Sequence, residues 1–129
     1  MQRYFIILMI GFLMLAFGCS KSVTNESDPI VFTIDAAASN ITVASNFGVG
    51  IKITSRISGN GLKVELTGIE EISSVAVLPQ APAFITTTVD NSTSIINLPQ
   101  QKWVVATVKI TDVNNAKNAA IKSFRVIYK

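Results

Sequence analysis

The stretch VGIKITSRISGNGLKVELTG, Val49–Gly68, decides the fold class. In its first half Val49, Ile51, Ile53 and Ile57 are apolar, while Lys52, Thr54, Arg56 and Ser58 between them are polar. Successive side chains of a strand point to opposite faces, so this alternation predicts a strand with one face on a core. In the second half Leu62, Val64 and Leu66 alternate in the same way with Lys63, Glu65 and Thr67. Gly59, Asn60 and Gly61 separate the halves, residue types that accept positive φ, and the whole stretch therefore predicts two strands joined as a tight hairpin.

Outward from this stretch the same period recurs and helical spacing is missing. Further strands are predicted over PIVFTID near residues 30–35, ITVA at 41–44, a segment around 74–78, AFITTTV at 83–89 and STSIINL near 93–98. WVVATVKIT from Trp103 and IKSFRVIYK to Lys129 complete the set. Pro79, Pro82 and Pro99 fall between these runs, where a missing amide proton does least harm. Seven to eight short strands in about 100 residues predict an all-β, two-sheet antiparallel sandwich.

The amino terminus reads differently. Arg3 is followed by the almost unbroken apolar stretch Tyr4 to Phe17, and the small residues Ala16 and Gly18 precede Cys19. A positive start, an apolar run and small residues at its end are the parts of a signal peptide in order. The run falls short of the roughly 20 apolar residues that cross about 30 Å of hydrocarbon, and no basic stop-transfer cluster follows, so its removal is expected.

Leu15, Ala16, Phe17, Gly18 and Cys19 resemble the lipobox of bacterial lipoprotein precursors, with the leucine one place early and Phe17 in a slot usually given to a small residue. The resemblance implies cleavage between Gly18 and Cys19, diacylation of the Cys19 sulfur and acylation of its new amino group. Ser20 follows, where an Asp would argue for retention at the inner membrane; the resemblance therefore implies the outer membrane of a Gram-negative cell. The alternative is an ordinary secretory signal with Cys19 lying near the cut by chance. The expected organisation is a signal peptide over 1–18, a lipidated cysteine and polar tether over 19–28, and one domain over 29–129. With a single cysteine in the chain, no disulfide can form within it, and the domain must rest on a hydrophobic core.

The closing residues Thr111, Asp112, a turn over Asn114 to Asn118, then Ser123, Phe124, Val126 and Tyr128 resemble the last hairpin of bacterial immunoglobulin-like modules. That resemblance implies an immunoglobulin-like sandwich and a tendency to bind or to space. It implies no chemistry.

The residues themselves argue against catalysis. The chain has no histidine, the commonest general base and metal ligand. The adjacent acids Glu70 and Glu71 end a predicted strand, where neighbours point to opposite faces, and are read as a solvated edge. The Asp112–Asn118 turn offers one carboxylate beside Lys117, too little for the six to eight oxygens of calcium, and is read as a hairpin closed by Asp and Asn bonding to their own backbone. No cofactor or metal is expected. Without Arg3, which leaves with the expected signal, 10 basic residues face 8 acidic ones, a net of +2 that is too mild to imply nucleic acid.

The last two strands are apolar on both faces. Val104, Ala106, Val108 and Ile110 are expected in the core with Phe124, Val126 and Tyr128. The opposite parity then gathers Trp103, Val105, Lys109, Ile121, Arg125 and Ile127 into a candidate binding face, aromatic and aliphatic with basic residues interspersed. Such a face suits a protein, or an anionic glycan through Lys109 and Arg125. The bland alternative makes Trp103 a cap on the sandwich end and the aliphatics isolated surface residues. The function expected is a non-catalytic, lipid-anchored envelope protein presenting one domain for binding. The competing expectation is a periplasmic inhibitor or chaperone-like lipoprotein that caps a partner.

Overall fold

The computed structural model describes residues 28–129; the expected signal peptide, Cys19 and all of the expected tether except Asp28 lie outside the described residues. The described chain is all strand and loop: β1 (Phe32–Ile34), β2 (Ser39–Thr42), β3 (Phe47–Ile53), β4 (Leu62–Glu70), β5 (Phe84–Thr86), β6 (Asp90–Ile95), β7 (Trp103–Asp112) and β8 (Asn115–Tyr128). The strands form a three-stranded sheet, β1-β3-β6, and a five-stranded sheet, β2-β8-β7-β4-β5. Lettered in chain order as A, A′, B, C, C′, E, F and G, they set A-B-E against A′-G-F-C-C′, the strand order of an immunoglobulin-like sandwich. Every pair is antiparallel except β2 with β8. That exception arises because the first strand changes sheets: β1 pairs with β3, the chain steps across at residues 35–38, and β2 continues alongside β8. The Asn40 side chain fixes the step, accepting from the Ala37 amide at 3.1 Å and donating to the Ala37 and Arg125 carbonyls at 2.8 and 3.0 Å.

The alternation of Val49–Gly68 sorts its residues as expected. Val49, Ile51, Ile53, Leu62, Val64 and Leu66 are all buried. The pairing is not as expected, for β3 and β4 form no hairpin. β3 bonds to β1 and β6, while β4 bonds to β7 and β5, and the connection 54–61 carries the chain from one sheet to the other. Two inward faces can be met by facing strands as well as by neighbours, and the long β4–β7 ladder, from Leu62↔Asp112 to Glu70↔Val104, satisfies the backbone of β4. Ile57 leaves the pleat accordingly, as β3 ends at Ile53. Within the connection the Thr54 and Ser55 amides donate to the Val31 carbonyl and the Gly61 amide donates to Ser58.

The final hairpin is tighter than expected. β7 and β8 turn through Val113 and Asn114, and Asn115–Asn118 belong to β8, with a register shift between Thr111 and Asp112 accommodating the extra residues. The expected strand around 74–78 is reduced to a single bridge, Ile69↔Ala76, because its residues lie along the end of β4 as an irregular segment. The core lies between the sheets: Phe32, Ile51, Ile53 and Ile95 from the smaller one meet Val64, Leu66, Val104, Val108, Ile110, Phe124 and Val126 from the larger. Gly68 and Ala106 pair at its centre, and their small size admits Ile95 from the facing sheet.

Candidate functional site

The outward face of the larger sheet is written by register. Trp103 pairs with Ile127, Val105 with Arg125, Thr107 with Ser123 and Lys109 with Ile121, while β4 sets Ile69 beside Val105 and Glu65 beside Lys109. The six candidate residues thus share one face but form two groups. Between them lies the Thr107–Ser123 row, whose hydroxyls bond to each other at 3.0 Å.

At one end Arg125 stacks on Trp103, its guanidinium carbon 4.3 Å from the ring centroid. Arg125 Nη2 donates to Glu71 Oε2 at 2.6 Å and Nη1 to Ser39 Oγ at 3.4 Å. Glu71 foremost holds the Arg125 pKa above its ordinary value, against partial desolvation. Arg125, one of the two cations expected to read an anionic ligand, is therefore already paired with a neighbour. Ile127 is only 8% exposed, between Ile41 and Trp103 in the row, so it serves as a floor and offers little surface. At the other end Ile121 is exposed, and Lys109 stands beside Glu65, which Lys63 bridges at 2.9 Å.

Sequence reasoning did not find what borders Trp103. Just past β4 the chain makes a turn over 71–74, and its backbone is held on either side of the tip. The Ser74 amide donates to the Glu70 carbonyl at 2.9 Å, the Glu70 amide to Val75 at 2.8 Å and the Glu71 amide to the Trp103 carbonyl at 2.9 Å. The turn carries Ile72 at its tip, 97% exposed. Glu70 accepts from the Ser73 hydroxyl and from Lys102 Nζ at 3.3 and 3.4 Å. The Ser73 bond foremost, opposed by desolvation and assisted by Lys102, keeps the Glu70 carboxyl below the usual range. An acid held ionised in this way is poorly suited to donate a proton.

Between this turn and the residues leading into β7 lies a pocket of about 240 Å³ lined by Glu70, Ile72, Ser73, Gln101, Lys102 and Trp103. No periodic signal points to Ile72, because it follows two acids in a segment that alternates with nothing. The adjacent acids Glu70 and Glu71 were the available clue, and they act separately, one on Lys102 and one on Arg125.

A second cleft, of about 280 Å³, opens at the far end beside Asp28, Arg56, Ser58, Asp112 and Asn118. The Asp112 carboxylate is buried there and accepts from the Ser58 hydroxyl at 3.0 Å and the Asn114 amide at 2.9 Å, which closes the β7–β8 turn. Asn118 donates to the Asp28 carbonyl at 2.9 Å, tying the entering chain to this same end. Trp103 begins β7 and Asp112 ends it, nine steps and so about 30 Å apart. The chain enters the sandwich at one end and the Trp103 pocket lies at the other. No protein-family model, curated protein or solved structure shows a significant match to the chain.

Proposed function

We propose that this protein is a non-catalytic lipoprotein of the cell envelope, anchored through acyl chains on Cys19, whose sandwich presents a binding surface for a protein or glycan at the end away from the membrane. The observation that carries the reading is Ile72, almost wholly solvated on a hydrogen-bonded turn beside the Trp103–Arg125 stack and about 30 Å from the end where Asp28 enters. An aliphatic side chain left in water forgoes about 1.5–3 kcal/mol of burial, which a partner can recover. Several acyl chains at about 0.8 kcal/mol per buried methylene would hold such a domain firmly, where one chain alone is marginal. The tether Ser20–Asp28, extended, spans about 30 Å and lets the far end clear the surface.

Metabolic labelling with palmitate tests the anchor. The wild type is expected to incorporate label and to fractionate with membranes, and Cys19→Ala to do neither. An unlabelled wild type, or a mature chain that still begins at Met1, would overturn the reading.

A further inference from the structure

We infer that the pocket beside Trp103 binds a neutral sugar ring, one hexose unit of an uncharged glycan; the inference rests on the binding role proposed above and names its ligand class. A hexose ring has an apolar face of C–H groups and an edge of hydroxyls that both donate and accept. The pocket offers both halves of that description. Ile72 and Trp103 are the apolar residues of the lining, while Arg125 stacks over the Trp103 ring and takes no part in lining the pocket. Around the wall stand the Gln101 amide, the Ser73 hydroxyl, the Glu70 carboxylate and the Lys102 ammonium, donors and acceptors together. At about 240 Å³ the space is smaller than the roughly 300–1,000 Å³ of drug-sized sites and suits a single ring.

Charge separates this ligand from the alternatives. Lys102 lies 3.3 Å from Glu70, and Arg125 lies 2.6 Å from Glu71, so each of these two cations is matched by an acid. Neither charge is left over to select a uronate, sulfate or phosphate. A purely apolar side chain from a protein partner would match only Ile72 and Trp103, whereas ring hydroxyls can also bond to the polar lining of Glu70, Ser73, Gln101 and Lys102.

The pocket is also preformed. Ser74 and Gln101, one on each side of it, hold φ values of 57° and 62°, a region that residues other than glycine enter at a cost. The bonds of Glu70, Glu71 and Ser74 already described fix the backbone on either side of Ile72, so little backbone ordering remains for a ligand to impose.

Trp103 is the only tryptophan in the chain and reports directly on the pocket. The full chain, in a zwitterionic detergent without a sugar headgroup, is titrated with cellohexaose, maltohexaose, mannohexaose and xylohexaose, and separately with oligogalacturonate. At least one neutral oligosaccharide is expected to change Trp103 fluorescence saturably, with little dependence on salt. Ile72→Ser and Gln101→Ala are each expected to weaken binding about fivefold or more without moving the melting midpoint. The inference is overturned if the folded protein responds to none of the neutral probes, if only oligogalacturonate binds and salt abolishes it, or if Ile72→Ser binds as the wild type does. A protein that labels with palmitate and fails this titration keeps its anchor and loses its sugar; one that binds sugar without label does the reverse.

Discussion

Gly68→Ala probes how the two sheets meet. Gly68 is buried on the inward side of β4 opposite Ala106, and a methyl group there would stand 2.6 Å from Ile95 Cδ1 and 3.3 Å from Val104 Cγ1. Carbon atoms pack at about 3.5–4.0 Å, so Ile95 must leave its rotamer or the sheets must part. Neither is easy, since Ile95 and Val104 are both fully buried. Overpacking of this kind costs about 1–3 kcal/mol. A midrange cost of about 2 kcal/mol lowers the melting midpoint of a domain of about 100 residues by roughly 8–16 °C.

Ile95→Val supplies the control, because it deletes Cδ1 and leaves Cγ1 at an ordinary 3.6 Å from the new methyl. Alone it costs about 0.5–1.5 kcal/mol through the lost methyl and the cavity. Combined, the two changes are expected to destabilise by about 1–2 kcal/mol less than their sum, because each removes the other's fault. Urea denaturation followed by Trp103 fluorescence measures all three variants. Energies that add to within about 0.5 kcal/mol would refute the argument, since the sheets would then be spaced by something other than the Gly68–Ile95 contact.

Gly61→Ala is expected to destabilise by more than about 1 kcal/mol, because Gly61 has a φ of 86° and its new methyl would lie 2.7 Å from the Thr86 carbonyl oxygen. A midpoint in the same urea assay equal to the wild type's would count against this. The turn at Ile72 should resist mild acid. With the Glu70 pKa lowered on folding, its contribution is present above the unfolded value and is lost only as pH falls through the folded one. NMR titration of the Glu70 carboxyl should accordingly give a midpoint below the ordinary value of about 4.3, and a midpoint at or above that value would contradict the Ser73 and Lys102 bonds.

Alternation along Val49–Leu66 and Val104–Ile110 was enough to specify all-β structure and which side chains point inward, because the two-residue period of a strand is a local property of the backbone. The same period is silent about partners. Nothing in Gly59-Asn60-Gly61 distinguishes a hairpin from a crossing between sheets, and only the competing nine-residue ladder of β4 with β7 resolved it. The candidate face shows the same division. Its residues were legible as one parity of β7 and β8, but whether each is surface depends on what lies beside it. β2, arriving by a change of sheets, lies along Ile127, and Glu71 takes the charge of Arg125. Ile72 carried no pattern at all. Its position beside Trp103 follows from where β4 ends against β7, a juxtaposition of residues some thirty apart in the chain, and such proximity exists only once the sheet has formed.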